Sequence, residues 1–285
     1  MTEAPEAARQ QALFMPMEGT AGGQRFGLYH APASRPGAAA GAVVYVHPFA
    51  EEMNKSRRMA ALQSRALARA GYAVLQLDLL GCGDSSGDFA DATWAAWLAD
   101  VAAAARWLRA RHGAALWLWG LRAGCLLAAE AAPLLGEPCH FLFWQPPAAG
   151  KTLLQQFLRL KMAAQMLDGK ALGATDALRT RLAAGQAVDI AGYTLSPALA
   201  QGLEQAQLRP PVKATQSIWL EVSSRAEATL LPATQNAVAA WRKAGHDTSA
   251  SAVTGPSFWQ TQEIEDAPAL IAATLQALDQ SRVAA

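Results

Sequence analysis

The chain is short of cysteine, of charge and of long apolar runs, and each shortage removes a class of protein. Cys82, Cys125 and Cys139 are the only cysteines in 285 residues and show no C-x-x-C spacing, so neither a disulfide framework nor a zinc module is signalled. Charged residues make up 16% of the chain and the formal net charge is +1. No global field therefore recruits nucleic acid or an anionic membrane. No apolar run reaches the roughly 18–20 residues that span a bilayer, because Asp and Arg interrupt the Ala-rich stretches. The start, Met1 to Gln11, carries Glu3, Glu6 and Arg9 and lacks the basic-then-apolar pattern of a signal peptide. The expectation is a soluble cytoplasmic protein with no membrane span, no metal and no cofactor.

What the chain does have is apolar bulk, with 52% hydrophobic residues, enough for a large buried core. β-rich runs alternate with helical patterns, as in a mostly parallel sheet covered by helices on both faces. Gln11–Pro16 and Gln24–His30, separated by Gly19, Gly22 and Gly23, predict an opening hairpin. The runs Ala42–His47, Tyr72–Leu77, Ala115–Trp119 and His140–Trp144 predict buried strands. Helices are expected over Ser56–Ala70, Thr93–Arg111 and Arg122–Leu135. Alternation then stops. Residues 150–211 hold helical segments (Thr152–Leu167, Asp176–Ala184, Ser196–Gln207), no convincing strand, and seven basic against four acidic residues. Alternation resumes with Ser217–Val222, Pro232–Ala244, Ser249–Val253 and Pro268–Asp279. The division predicted is a core of residues 1–149 and 212–285 with a helical cap at 150–211, lying over the strand C-terminal edge where open α/β sheets bind ligands.

Three landmarks sharpen this. Gly120-Leu121-Arg122-Ala123-Gly124 follows an apolar strand and opens a helix, the context of a G-x-S-x-G nucleophile elbow. Asp78-Leu79-Leu80-Gly81-Cys82-Gly83-Asp84-Ser85-Ser86-Gly87 fits a D-x-x-G-x-G-x-S-x-G turn, and Val46-His47-Pro48-Phe49 stands where an oxyanion-hole loop would. Together they predict an α/β-hydrolase fold: a doubly wound, mostly parallel sheet with a helical cap inserted after the sixth strand.

The chemistry does not follow from the fold. A triad needs a nucleophile, a histidine base and a carboxylate. Arg122 stands at the nucleophile position, and a guanidinium offers only donors. The loop after the last strand, Gly255-Pro256-Ser257-Phe258-Trp259, has no histidine, and His246 precedes that strand. Ser223, Ser224 and Arg225 occupy the acid's place, with only Glu221 and Glu227 nearby. Weak catalytic candidates remain in His47, Glu51 and Glu52, which could activate water. An arginine beside oxyanion-hole amides and a helix N-terminus favours an anion, supplied either by Glu51 or Glu52 or by a ligand held with Arg57 or Arg58. Leu121, Phe49, Gln145, Arg159 and Trp259 are the further residues expected around that ligand. Ser85 and Ser86 read as turn chemistry, and Cys82 and Cys125 as small buried residues.

The whole chain resembles the α/β-hydrolase superfamily. More narrowly it resembles the exosortase A system-associated hydrolases of the second type, through Pro48-Phe49-Ala50-Glu51-Glu52-Met53-Asn54-Lys55-Ser56-Arg57-Arg58-Met59, Gly81–Phe89, Trp119–Gly124, Gln156-Phe157-Leu158-Arg159-Leu160 and Gly255–Trp259. The resemblance implies a hydrolase label and a place near exopolysaccharide or PEP-CTERM protein sorting, but no reaction, since fold does not fix chemistry. Three functions are consistent with it: binding of a small anionic or saccharide-related ligand, hydrolysis of an ester or thioester by an unconventional mechanism, and a scaffold that docks a protein partner of the sorting system.

Overall fold

A computed structural model describes residues 9–17, 22–33, 39–167, 174–213 and 215–283. Residues 1–8, Gly19 of the first turn, positions 34–38 of the Ala/Gly/Pro-rich stretch, and Asp168 and Lys170 of the insertion lie outside it.

The opening hairpin forms as β1 (Gln10–Pro16) and β2 (Gln24–His30), antiparallel to each other, and β2 runs antiparallel to β4 (Tyr72–Leu77). The other strands, β3 (Gly41–Val46), β5 (Leu116–Leu121), β6 (His140–Trp144), β9 (Gln216–Ser223) and β10 (Asp247–Thr254), pair in parallel. The eight-stranded order is β1-β2-β4-β3-β5-β6-β9-β10. Side-chain alternation divides the core between two faces. Ala42, Val44 and Val46 of β3 pack on one side, Val43 and Tyr45 on the other. Helices α2 (Trp94–His112), α3 (Ala123–Ala131) and α7 (Pro232–Lys243) cover the first face. Helices α1 (Glu51–Arg69) and α8 (Pro268–Val283) cover the second.

Between β6 and β9 the chain forms α4 (Gly150–Leu167), α5 (Ala174–Ala183), β7 (Val188–Ile190), β8 (Tyr193–Leu195) and α6 (Pro197–Gln205). Two expectations need correction. The inserted segment is not wholly helical: β7 and β8 make a hairpin through Ala191 (φ 49) and Gly192 (φ 85), a two-residue turn with both angles positive. Strands of three residues are too short to show a period of two, which is why the sequence hid them. Residues 51–55, expected to precede a helix beginning at Ser56, are instead the opening of α1. Glu51 and Glu52 in the first turn suit the positive end of that helix.

Two contacts seat the insertion on the core. Ser196 caps α6 through Leu199 N and donates its hydroxyl to Ala92 O (2.7 Å). Ala149 bridges Gln207 where the insertion leaves and re-enters.

Candidate functional site at the elbow

The elbow is built as the glycines require. β5 ends at Leu121, Arg122 adopts φ 54 and ψ −117, and α3 begins at Ala123. A Cβ on Gly124 would sit inside the van der Waals shell of the Val46 carbonyl, and one on Gly120 would meet the Cys125 backbone. The turn is pinned by Arg122 N to Trp144 O (3.0 Å) and Cys125 N to Arg122 O (3.0 Å). One strand away, Ala50 has nearly the same backbone, φ 49 and ψ −123, at the start of α1. Gln145, at the exit of β6, is a third non-glycine residue of positive φ along this sheet edge, and its side chain accepts from Val222 N (2.7 Å), tying β6 to β9.

The Arg122 side chain reaches across to α1. Nε lies 3.2 Å and 3.4 Å from the two Glu52 oxygens, and Nη2 donates to Glu52 Oε1 (3.1 Å) and to Gln156 Oε1 of α4 (2.7 Å). Both side chains are about nine-tenths buried, with 10% and 12% exposure. Burial pushes the Glu52 carboxyl up, while Arg122 and the Gln260 side chain, both hydrogen bonded to it, pull it back. The Arg122 guanidinium also stands 5.9 Å from the Trp259 ring. The elbow arginine is thus held by an internal carboxylate and by a residue of the inserted segment.

The expected companions are elsewhere. Arg57 pairs with Asp78 (3.1 Å), and Arg58 makes a two-point contact with Asp266 (2.7 and 2.8 Å) on the surface. Arg159 is exposed on α4. These three do not converge on Arg122: as α1 starts at Glu51, the helical turn sends 57 and 58 to other faces than 52. Leu121 is buried in β5 and Phe49 among aromatic neighbours. His47 is walled in, with Nδ1 2.7 Å from Pro48 O and Nε2 accepting from Leu79 N (3.3 Å). Burial lowers its pKa, and a neutral ring with Nδ1 donating satisfies both contacts.

The other triad-related positions are similarly occupied by structure. His246 lies at the opposite end of the sheet, near Thr215 N (3.2 Å) and Pro211 O (3.0 Å). Glu221 is buried and accepts from Leu231 N (3.2 Å). Ser85 and Ser86 accept from Phe26 N and Gln24 N, as turn residues do. Cys82, Cys125 and Cys139 are buried, and burial raises all three thiols. Among the described residues no group of His, Cys, Asp and Glu gathers as a metal site, and no helix is long and apolar enough to cross a membrane.

Beside Arg122 and Glu52 lies a cavity of about 220 Å³ lined by Phe49, Glu51, Glu52, Lys55, Leu153, Gln156, Phe157, Leu160 and Gln260. Lys55 and Gln260 were not anticipated. Had the helix been started at Glu51, the i to i+4 relation would have put Lys55 beside that residue. Gln260 carries no signal in the sequence beyond following Trp259. A more apolar depression of about 250 Å³, lined in part by Pro133, Cys139, Phe141 and Val212, lies at the other end of the strands, away from this chemistry.

Sheet order, elbow and inserted segment define the α/β-hydrolase fold. The sequence profile of the X-Pro dipeptidyl-peptidases of the S15 family matches residues 29–151, a span that runs from β2 through the elbow to the start of α4. Among curated proteins nothing matches. Solved structures do. Est1E from Butyrivibrio proteoclasticus, with ferulic acid bound, has a TM-score of 0.62 at 16% identity over 92% of this chain and 96% of that one. XC6422 from Xanthomonas campestris, described as an α/β serine hydrolase without lid, has 0.58 at 15% over 98% of each chain. Carboxyl esterase 2 of Tuber melanosporum has 0.60 at 14% over 100% and 88%. At these identities the likeness is one of fold.

Proposed function

We propose that this α/β-hydrolase-fold protein has lost the Ser-His-Asp mechanism and uses the elbow edge to bind a small saccharide-related molecule beneath the inserted segment. The observation that carries the reading is how the elbow side chain is held: Arg122 is bound by Glu52 and Gln156, and these two partners line the 220 Å³ cavity. A guanidinium cannot attack a carbonyl, His47 has both ring nitrogens engaged by backbone, and the loop after β10 has no histidine. Glu52 already supplies the anion that Arg122 attracts, so a free anion would have to displace it. The cavity instead offers polar groups (Glu51, Lys55, Gln156, Gln260) between aromatic walls (Phe49, Phe157), an arrangement suited to hydroxyls on an apolar ring face. The resemblance to exosortase-associated proteins supports the same ligand class and a role in an exopolysaccharide or protein-sorting system.

The test is chemical. Purified protein should neither turn over p-nitrophenyl esters and acyl thioesters nor take up a fluorophosphonate label, and Arg122→Ser should stay equally inert because no base stands beside it. Labelling of the wild type would overturn the reading.

One observation favours a second reading, hydrolysis by an activated water. Glu51 lines the cavity and burial raises its carboxyl, which makes it a better base towards a bound water than an ordinary surface carboxylate. Ester turnover abolished by Glu51→Gln would establish it.

A further inference from the structure

At the end of the strands opposite the elbow, where Cys139 and Thr215 precede β6 and β9, the surface is apolar and uneven. The depression of about 250 Å³ adjoins a second of about 480 Å³, and Pro133, Pro211 and Val212 line both. These three therefore form a ridge between two hollows. Val212 is fully exposed on it, and Leu134, next to Pro133, is 52% exposed. The ridge is held in place. Pro210 and Pro211 fix their own φ angles, His246 Nε2 lies 3.0 Å from Pro211 O, and Lys213 Nζ donates to Gly136 O (3.0 Å). An exposed valine mounted beside an apolar hollow marks an interaction surface, and little of it is left to be ordered on binding.

We propose that this surface joins two copies of the chain about a twofold axis, the Pro211–Val212 ridge of each seated in a hollow of the other. Shape and charge select a second copy. Ridge and hollow lie side by side on one surface, so a half rotation brings each onto its complement, as an isologous interface requires. The ridge is flanked in sequence by Arg209 and Lys213, while the hollows carry Glu137 in the first and Glu130 in the second. Lys213 is exposed, and its ammonium meets a backbone carbonyl but no carboxylate among the described residues. Glu137, paired with Arg109 at 2.8 Å, keeps 67% of its side chain exposed and can take a second cation. Lys213 of one copy therefore meets the second copy's Glu137 at the rim, while Val212 enters between the exposed rings of Pro133 and Pro138. The net charge of +1 sets no long-range repulsion against this approach.

The experiment is sedimentation equilibrium of the full chain at concentrations up to about 100 μM. The wild type should be a mixture of monomer and dimer, as an interface of modest size gives. Val212→Asp places an unpaired charge in the apolar hollow and should weaken the dimer about tenfold or more. Lys213→Glu should weaken it too, and adding Glu137→Lys should restore most of the loss, because the swap returns opposite charges across the axis. Val212 and Lys213 are exposed, so neither change disturbs the fold. A monomer at every concentration overturns the proposal. A dimer that Val212→Asp leaves intact has its interface elsewhere and overturns it as well. A mass that keeps growing with concentration rules out a closed twofold pair. Failure of the charge swap to rescue overturns the contact between Lys213 and the second copy's Glu137. The elbow cavity lies at the far end of the strands, so none of these outcomes bears on the ligand it binds.

Discussion

Among the described residues two arginines are buried against carboxylates, and they differ in what surrounds them. Arg25 of β2 meets Asp100 of α2 at 2.9 Å with 0% and 1% of the side chains exposed. Asp100 also accepts from Leu80 N (2.8 Å), while Arg25 Nη1 donates to Gly22 O (3.0 Å). That pair binds the antiparallel edge, the turn after β4 and α2 into one block. Arg122 and Glu52 are nearly as deep, yet their third partner is Gln156 of the inserted segment and their neighbour is a cavity. The first pair is sealed among fixed partners, the second adjoins space. A buried charge whose partners are all backbone and core serves the frame, whereas one that looks onto a cavity can exchange a partner for a ligand.

The largest effect should come from the sealed pair. Asp100→Ala leaves Arg25 charged in the core and should cost about 3–5 kcal/mol, measured by urea unfolding. The acid response should come from the same side. His30 of β2 is fully buried between Gln10 and Gln76, each 3.2 Å from a ring nitrogen, and burial lowers its pKa from 6.5 to about 4. A base depressed in the fold stabilises above the unfolded pKa, and that stability is lost as pH falls from about 6.5 towards 4. The loss is at most about 3 kcal/mol, and His30→Gln should flatten this part of the pH–stability curve. The smallest effect belongs to the elbow. Glu52→Gln keeps the shape and leaves Arg122 beside a cavity that water can enter, so the cost should be about 1–2 kcal/mol. If Glu52→Gln proves as destabilising as Asp100→Ala, the two pairs are equivalent and the distinction fails.

Much of the frame was legible because it is local. The strands at Tyr72–Leu77 and His140–Trp144 coincide with their apolar runs, and the hairpin flanks its glycines. The glycine-rich turn and the elbow carry spacing that only backbone geometry explains. The site was legible in part. A salt bridge from Arg122 to Glu51 or Glu52 was one of two open readings, and the choice of Glu52 depends on where α1 begins. The partners of Arg57 and Arg58 were not legible, for Asp266 lies 208 residues away and only the packing of α8 beside α1 brings it near. The Arg25–Asp100 pair was missed for the same reason: nothing in a strand residue and a helix residue far apart announces that both face inward.

The two matching turns at Ala50 and Arg122 bear on how such a site changes hands. Each holds a non-glycine residue in a conformation that costs on the order of 1–3 kcal/mol. At Ala50 that contortion supports no reactive group at all. The bent backbone is therefore a fixture of the architecture, maintained by helix and sheet whatever side chain it displays. A mount of this kind can be refitted by changing a single codon, from a group that attacks to one that grips, while the machinery that bends the chain is left untouched.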